Sequence, residues 1–186
     1  GQSSIEKLEQ ELSLKQLQIN SLLAITQAIN DNVAAPELYN MYKSFVGWEM
    51  GIKRMALFFK QEDQWRCVTH LKSEHLSDRE DLGSVLSRYV KTQRITSADT
   101  ETLQGFDIII PVYHKKNPIA FALIGEVRKD ANEYNQIQFI TTITNIIAVA
   151  IENKRLFRKQ IEQERFARDM ELASSVQKML IPGHTP

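Results

Sequence analysis

Cys67, His70 and His75 are the residues whose types and proximity could hold a metal ion, because thiolate and imidazole are the ligands zinc takes. A structural zinc needs four such ligands, and no His-x-His or Cys-x-x-Cys stands nearby to complete the set. A strand cysteine packed in the core, with surface histidines beside it, accounts for the same residues and is the reading adopted. His114, Lys115 and Lys116 form a small basic turn of the kind that keeps an exposed hairpin tip soluble. Arg155, Arg158, Lys159, Glu162 and Glu164 suit the flanks of a coiled coil, where charge pairs set register. There is no Gly-x-Ser-x-Gly elbow, Gly-rich phosphate loop or His-Glu-x-x-His helix, and seven glycines offer little from which to build a phosphate cradle. These residues predict a chain that is not catalytic and holds no metal.

Composition narrows the partners. Lys plus Arg number 23 and Asp plus Glu also number 23, so no net field draws the chain to a phosphate backbone or anionic lipid, and no nucleic acid partner is expected. Cys67 is the only cysteine, which excludes an internal disulfide framework and makes a cytoplasmic setting the default expectation. The longest apolar stretch, residues 137–151, is interrupted by Thr141, Thr142, Thr144 and Asn145, so no membrane span is expected within the chain. The opening Gly-Gln-Ser-Ser lacks an initiator Met and reads as a cut end, which leaves open whether targeting or membrane segments stand upstream. A length of 186 residues suits one core with helical arms.

The elements that must position these residues follow from periodicity. Ile5, Leu8, Leu12, Ile19, Leu22 and Ile29 fall at alternating three and four spacing, with Lys15 and Thr26 filling two polar positions, which predicts a flawed heptad seam. Pro36 suits the first turn of a second helix, whose apolar face is expected to hold Leu38, Met41, Tyr42, Phe45 and Trp48, with Gly51 as its stop. Met55, Leu57 and Phe59 alternate with Ala56 and Phe58, then a polar turn over residues 61–64 precedes Trp65, Cys67 and Thr69. That pattern is a β-hairpin. Leu82, Val85, Leu86 and Tyr89 mark a short helix, and residues 94–99 an edge strand. Residues 106–113 and 119–127 predict a second hairpin, whose run Ile108, Ile109 and Ile110 is apolar on both faces and so belongs inside the sheet with helices on both sides. Residues 135–181 contain no Gly or Pro and predict one long helix. Its broad apolar face includes Ile140, Ile143, Ile147 and Ile151, then narrows to Phe157 and Ile161. A new register begins with Phe166, Met170, Ala173 and Leu180, and the step of five from Ile161 to Phe166 breaks the heptad phase.

Three segments together resemble the GAF domain family of small sensor domains over residues 20–157. Leu22-Leu23-Ala24-Ile25-Thr26-Gln27-Ala28-Ile29 is similar to the family's opening helix. Ile108-Ile109-Ile110-Pro111-Val112-Tyr113 through Ile119-Ala120-Phe121-Ala122-Leu123-Ile124 is similar to its central hairpin. Tyr134-Asn135 followed by Ala148-Val149-Ala150-Ile151-Glu152-Asn153-Lys154-Arg155-Leu156-Phe157 resembles its closing helix. The chain departs from the family where many members carry glycines, having Asn117-Pro118 in the turn and Ile119-Ala120 after it. The asparagine, lysine, phenylalanine, aspartate and glutamate signature of cyclic-nucleotide-binding members is not recognisable, so no cyclic nucleotide is implied. A second resemblance lies at the other end. Glu171-Leu172-Ala173-Ser174-Ser175-Val176-Gln177-Lys178-Met179-Leu180-Ile181-Pro182 is similar to the helix that precedes the catalytic domain in bacterial metal-dependent serine phosphatases of the sporulation and stress-response type. The match is at Leu172, Ala173, Val176, Gln177, Leu180, Ile181 and Pro182.

These resemblances imply an α+β fold with a GAF-like antiparallel sheet, flanking helices and long coiled-coil helices at both ends. The implied division is a signalling helix over residues 1–30, the sensor domain over 31–157, a linker helix over 158–182 and the start of a missing output domain at 183–186. That output domain would carry the metal-binding aspartates, use Mn or Mg and act on a phosphoprotein, leaving this chain as its regulatory lead-in. A homodimer is expected through Ile5, Leu8, Leu12, Ile19, Leu22, Phe157 and Ile161, with Leu172, Ala173, Val176, Gln177, Leu180 and Pro182 as the linker switch. No cofactor is expected in this chain. Some GAF domains attach a thioether-linked chromophore, but the place of Cys67 in an alternating strand favours core packing. Phe59, Cys67, Phe106 and Tyr113 could line a pocket for a small ligand beside residues 71–82, or fill the core solidly; both readings stand.

Overall fold

The structure, a computed structural model, describes residues 2–73, 76, 81–127 and 132–180. His75, Ile181, Pro182 and residues 183–186 lie outside the described residues, as does most of the polar stretch between the first hairpin and the short helix. In chain order the elements are α1 (Gln2–Asn30), α2 (Ala35–Ser44), a π-helical turn (Phe45–Glu49), β1 (Arg54–Gln61), β2 (Gln64–Leu71), α3 (Leu82–Leu86), β3 (Gln93–Arg94), a 3-10 turn (Ser97–Asp99), β4 (Ile108–His114), β5 (Asn117–Gly125) and α4 (Glu133–Leu180). The five strands form one antiparallel sheet in the order β2-β1-β5-β4-β3, so the expected α+β class with long terminal helices is borne out.

Two hairpins meet at the middle of this sheet, where β1 pairs with β5 from Arg54 opposite Gly125 to Phe59 opposite Ala120. Each hairpin turns through two residues with left-handed backbone, Glu62 and Asp63 in the first and Lys115 and Lys116 in the second. That mirror-image turn matches the twist of the flanking strands, and here side chains bear it without glycine. Asn117 and Pro118, read from sequence as the turn, are the first residues of β5. The expected edge strand over residues 94–99 shortens to Gln93–Arg94, because Thr96 opens the 3-10 turn instead. Pro111 lies in β4, which pairs with β3 only at Ile108 and Ile109.

Strand pleating sorts the core into two layers. Ala56, Phe58, Ile109, Phe121 and Leu123 pack against Leu82, Val85, Leu86 and Tyr89 around α3. On the opposite face the Phe59 ring meets Tyr39 of α2 at 5.6 Å between centroids. The Tyr42 hydroxyl of α2 is 2.8 Å from Thr144 Oγ1 of α4, which itself donates to the Ile140 carbonyl. Phe139, Ile140, Ile143, Ile147 and Ala148 of α4 are buried, and each of the Phe and Ile side chains contributes about 1.5–3 kcal/mol on burial.

The second helix does not run on to Gly51 as an α-helix. A π-helical turn adds a residue to the winding and moves the phase of its last turn. Val46 therefore takes the buried place and Trp48, expected on the apolar face, stands 89% exposed. Gly51 does end the element, with φ of 69°. Residues up to Ala150 form one compact unit and those from Ile151 a second. The first unit thus includes α1, whose Ile25 and Ser21 are buried.

Candidate functional site

The four residues expected around one pocket are divided by the sheet. Phe58 and Cys67 are cross-strand partners, and Cys67 packs against the layer around α3 that also contains Phe106. Tyr113 belongs to that side too, its ring edge-on to Phe121 at 6.5 Å and its hydroxyl donating to the Tyr89 carbonyl at 2.9 Å. Phe59 does not: one residue along β1 from Phe58, it points to α2. A pocket lined by all four is corrected to a layer that holds three, for the elementary reason that adjacent strand residues face opposite ways.

That layer is aromatic and closely packed. Trp65 meets Phe121 edge-on at 4.9 Å, and a Cβ placed on Gly83 of α3 would stand 2.9 Å from Trp65 Cδ1. The Cys67 thiol donates to the Thr69 carbonyl at 3.4 Å. Burial pushes its pKa up, opposed by hydrogen bonding with the backbone of Leu57 and Thr69, which leaves it a poor thiolate. His70 lies on β2 opposite Ala56. No group of three or more His, Cys, Asp or Glu able to hold a metal occurs among the described residues.

Beside this layer, a buried carboxylate ties the short helix to the sheet edge. Asp99 accepts from Arg88 Nη2 at 2.7 Å, from the Tyr89 hydroxyl at 2.7 Å and from Thr96 Oγ1 at 3.3 Å. Sequence reasoning missed this clasp. Its signal was present in the Thr-x-x-Asp spacing of Thr96 and Asp99, the pattern of a capped helical start.

The expected dimer residues fall in both units. In α1, Ile5 is 63% and Leu12 is 69% exposed, and Leu8 and Ile19 are likewise open. Leu22 differs, being half-buried within its own chain beside buried Ser21 and Ile25. The helix changes role at that point: the Ser21 hydroxyl donates to the Leu17 carbonyl and lies 2.5 Å from Glu49 Oε2, anchoring the last turns. In the second unit, Phe157 is 65% exposed and Ile161 is exposed as well. So are the linker residues Leu172, Ala173, Val176, Gln177 and Leu180. Arg155 grips Glu152 through both carboxylate oxygens at 2.6 and 2.9 Å, an i,i+3 pair on the helix surface. Among the described residues, no helix is long and apolar enough to cross a membrane.

No protein-family model matches this chain, and no curated protein matches it in sequence. Solved structures do match. The GAF domain from a phosphoenolpyruvate-protein phosphotransferase of Coxiella burnetii superposes with a TM-score of 0.57 at 14% identity, covering 77% of this chain and 98% of that one. The Nlh2 GAF domain of A. aeolicus in an inactive state gives 0.55 at 15% identity, covering 76% and 99%. The phycoerythrobilin-bound GAF domain from a cyanobacterial phytochrome gives 0.54 at 14% identity, covering 76% and 97%. Likeness at such identities speaks for architecture alone, and the architecture is that of the GAF domain fold.

Proposed function

We propose that this chain is a non-catalytic, cytoplasmic sensor and dimerisation module that controls a C-terminal serine/threonine protein phosphatase through its long helix. The observation that carries the reading is the row of exposed apolar residues at helical spacing. Ile5, Leu8, Leu12 and Ile19 recur in α1, and Phe157, Ile161, Phe166 and Met170 recur beyond Ile151. Such rows are stable in water when a second helix covers them, and an identical helix of a second copy is the simplest cover. A phase break between Ile161 and Phe166 keeps the coil from being locked, and a spine with two near-equal packings is what a switch requires. The phosphatase assignment is supported by the similarity of residues 171–182 to the lead-in helix of that family, whose catalytic domain would supply the Mn or Mg site and act on a phosphoprotein. Light scattering tests the dimer: a mass near 21.4 kDa at all concentrations overturns it. The reading frame beyond residue 186 tests the phosphatase, and a kinase or cyclase domain there overturns that part. Cysteines at Ile161 and Leu172 in the full-length protein test the switch, which requires their cross-linking to change with activity.

A second reading, a dimerisation scaffold with no small ligand, is favoured by the filled layer of Phe58, Trp65, Phe121 and Tyr113. A thermal-shift screen of metabolites separates the two, since a ligand bound only by the fold raises its apparent stability.

A further inference from the structure

A groove of about 410 Å³ runs between the π-helical turn and the end of β2, away from the α3 layer. Its shape depends on Gly47, where a Cβ would stand 2.8 Å from Leu71 Cδ1. Trp48 lines it with an indole that is 89% exposed. Lys43, Lys53 and Lys72 line it too, all with exposed side chains, and no acidic residue is among the described residues that do so. The three lysines come from α2, the loop before β1 and the loop after β2, so the fold rather than a local charge run assembles them. None of them makes an ion pair within 4.0 Å with another described residue. The carboxylate nearest Trp48 in sequence, that of Glu49, is engaged by Ser21.

We propose that this groove binds a planar aromatic anion of the nucleoside monophosphate class, its ring stacked on Trp48 and its phosphate held among Lys43, Lys53 and Lys72. The three ammonium groups line one groove with no carboxylate among its described lining residues, and a phosphate dianion there gains charge-assisted donors. An open indole offers the strongest side-chain face for a flat ring. The pairing of both features in one concavity of small-ligand size fits a compact molecule. A π-helical turn contributes Gly47 and Trp48 to the site, and such turns are frequent at functional positions. The inference does not depend on the chain having a phosphatase partner.

The test is a calorimetric titration of the 186-residue chain with adenosine monophosphate, followed by quenching of tryptophan fluorescence. Saturable binding is expected, weakened about tenfold by Trp48→Ala through lost stacking and comparably by Lys53→Glu. Both residues are exposed, so the thermal midpoint of the unliganded variants should match the parent. Adenosine and inorganic phosphate, each carrying half of the recognition, should bind more weakly than the nucleotide. Absence of saturation at millimolar nucleotide overturns the proposal, as does equal binding by Trp48→Ala. Retention on phosphatidylglycerol vesicles without nucleotide binding also overturns it and reassigns the patch to a lipid surface.

Discussion

Apolar residues recur at helical spacing on both sides of Ala150, and what differs is their cover. In the first unit Phe139, Ile140, Ile143 and Ile147 are buried within the chain. In the second, Phe157, Phe166, Met170, Leu172 and Met179 are exposed, Met179 by 83%. Periodicity marks a face that will be covered and is silent about whether the cover is intramolecular. α1 holds both cases on one helix, with Ile25 buried and Ile5 open. The open part of such a helix is what the proposed dimer would cover.

The comparison breaks most visibly at phenylalanine. Phe121 is fully buried between the rings of Trp65 and Tyr113, so Phe121→Ala should cost about 3–5 kcal/mol, read as a lower urea midpoint. Phe166→Ala at low protein concentration should leave the midpoint within about 0.5 kcal/mol. Equal losses would mean that the outer helix is covered by its own chain. Next in size is Leu12→Glu, which places a carboxylate in the proposed seam. Self-association should weaken about 100-fold or more in sedimentation, while the spectrum of the folded chain stays the same.

The buried side can be sharpened through pH. Burial raises the Tyr42 phenol far above its ordinary range, with the Thr144 hydrogen bond opposing only part of the shift. The folded state therefore keeps this proton while the unfolded chain releases it near pH ~10. The stability it contributes is complete below that pH and is lost as pH rises above it. Tyr42→Phe should cost about 1 kcal/mol at neutral pH and flatten the alkaline decline in thermal midpoint. The smallest effect belongs to the turn: replacing Lys115-Lys116 by Asn-Gly should add about 0.5–1 kcal/mol, because the left-handed backbone there suits those residues better.

Both hairpins and the stop at Gly51 were legible because each rests on local alternation or a single glycine, whereas the run Ile108-Ile109-Ile110, expected inside the sheet, has strand neighbours on both sides only at Ile108 and Ile109 among the described residues. The sites were less so. Grouping Phe59 with Cys67 ignored strand parity, which becomes decisive only once Phe58 is known to face Cys67. Trp48 was misplaced because a π-helical turn has no marked signature in residue type, and one extra residue in the winding reverses which side chain is buried. The Asp99 clasp went unread because polar residues over 96–99 have no periodicity, although the capping pattern was there. A heptad count cannot tell where a helix passes from one neighbour to another, so it places half-buried Leu22 in the same row as open Ile5.

The proline in β4 has a consequence for solubility. Beyond Ile109, β4 has a strand neighbour on one side only among the described residues, and an open strand edge is a template for runaway pairing between molecules. Pro111 removes one backbone donor from that edge and cannot extend a ladder. A chain with exposed apolar helix faces is thereby protected from also polymerising through its sheet, so replacing Pro111 with valine should favour fibrillar aggregates over the proposed dimer.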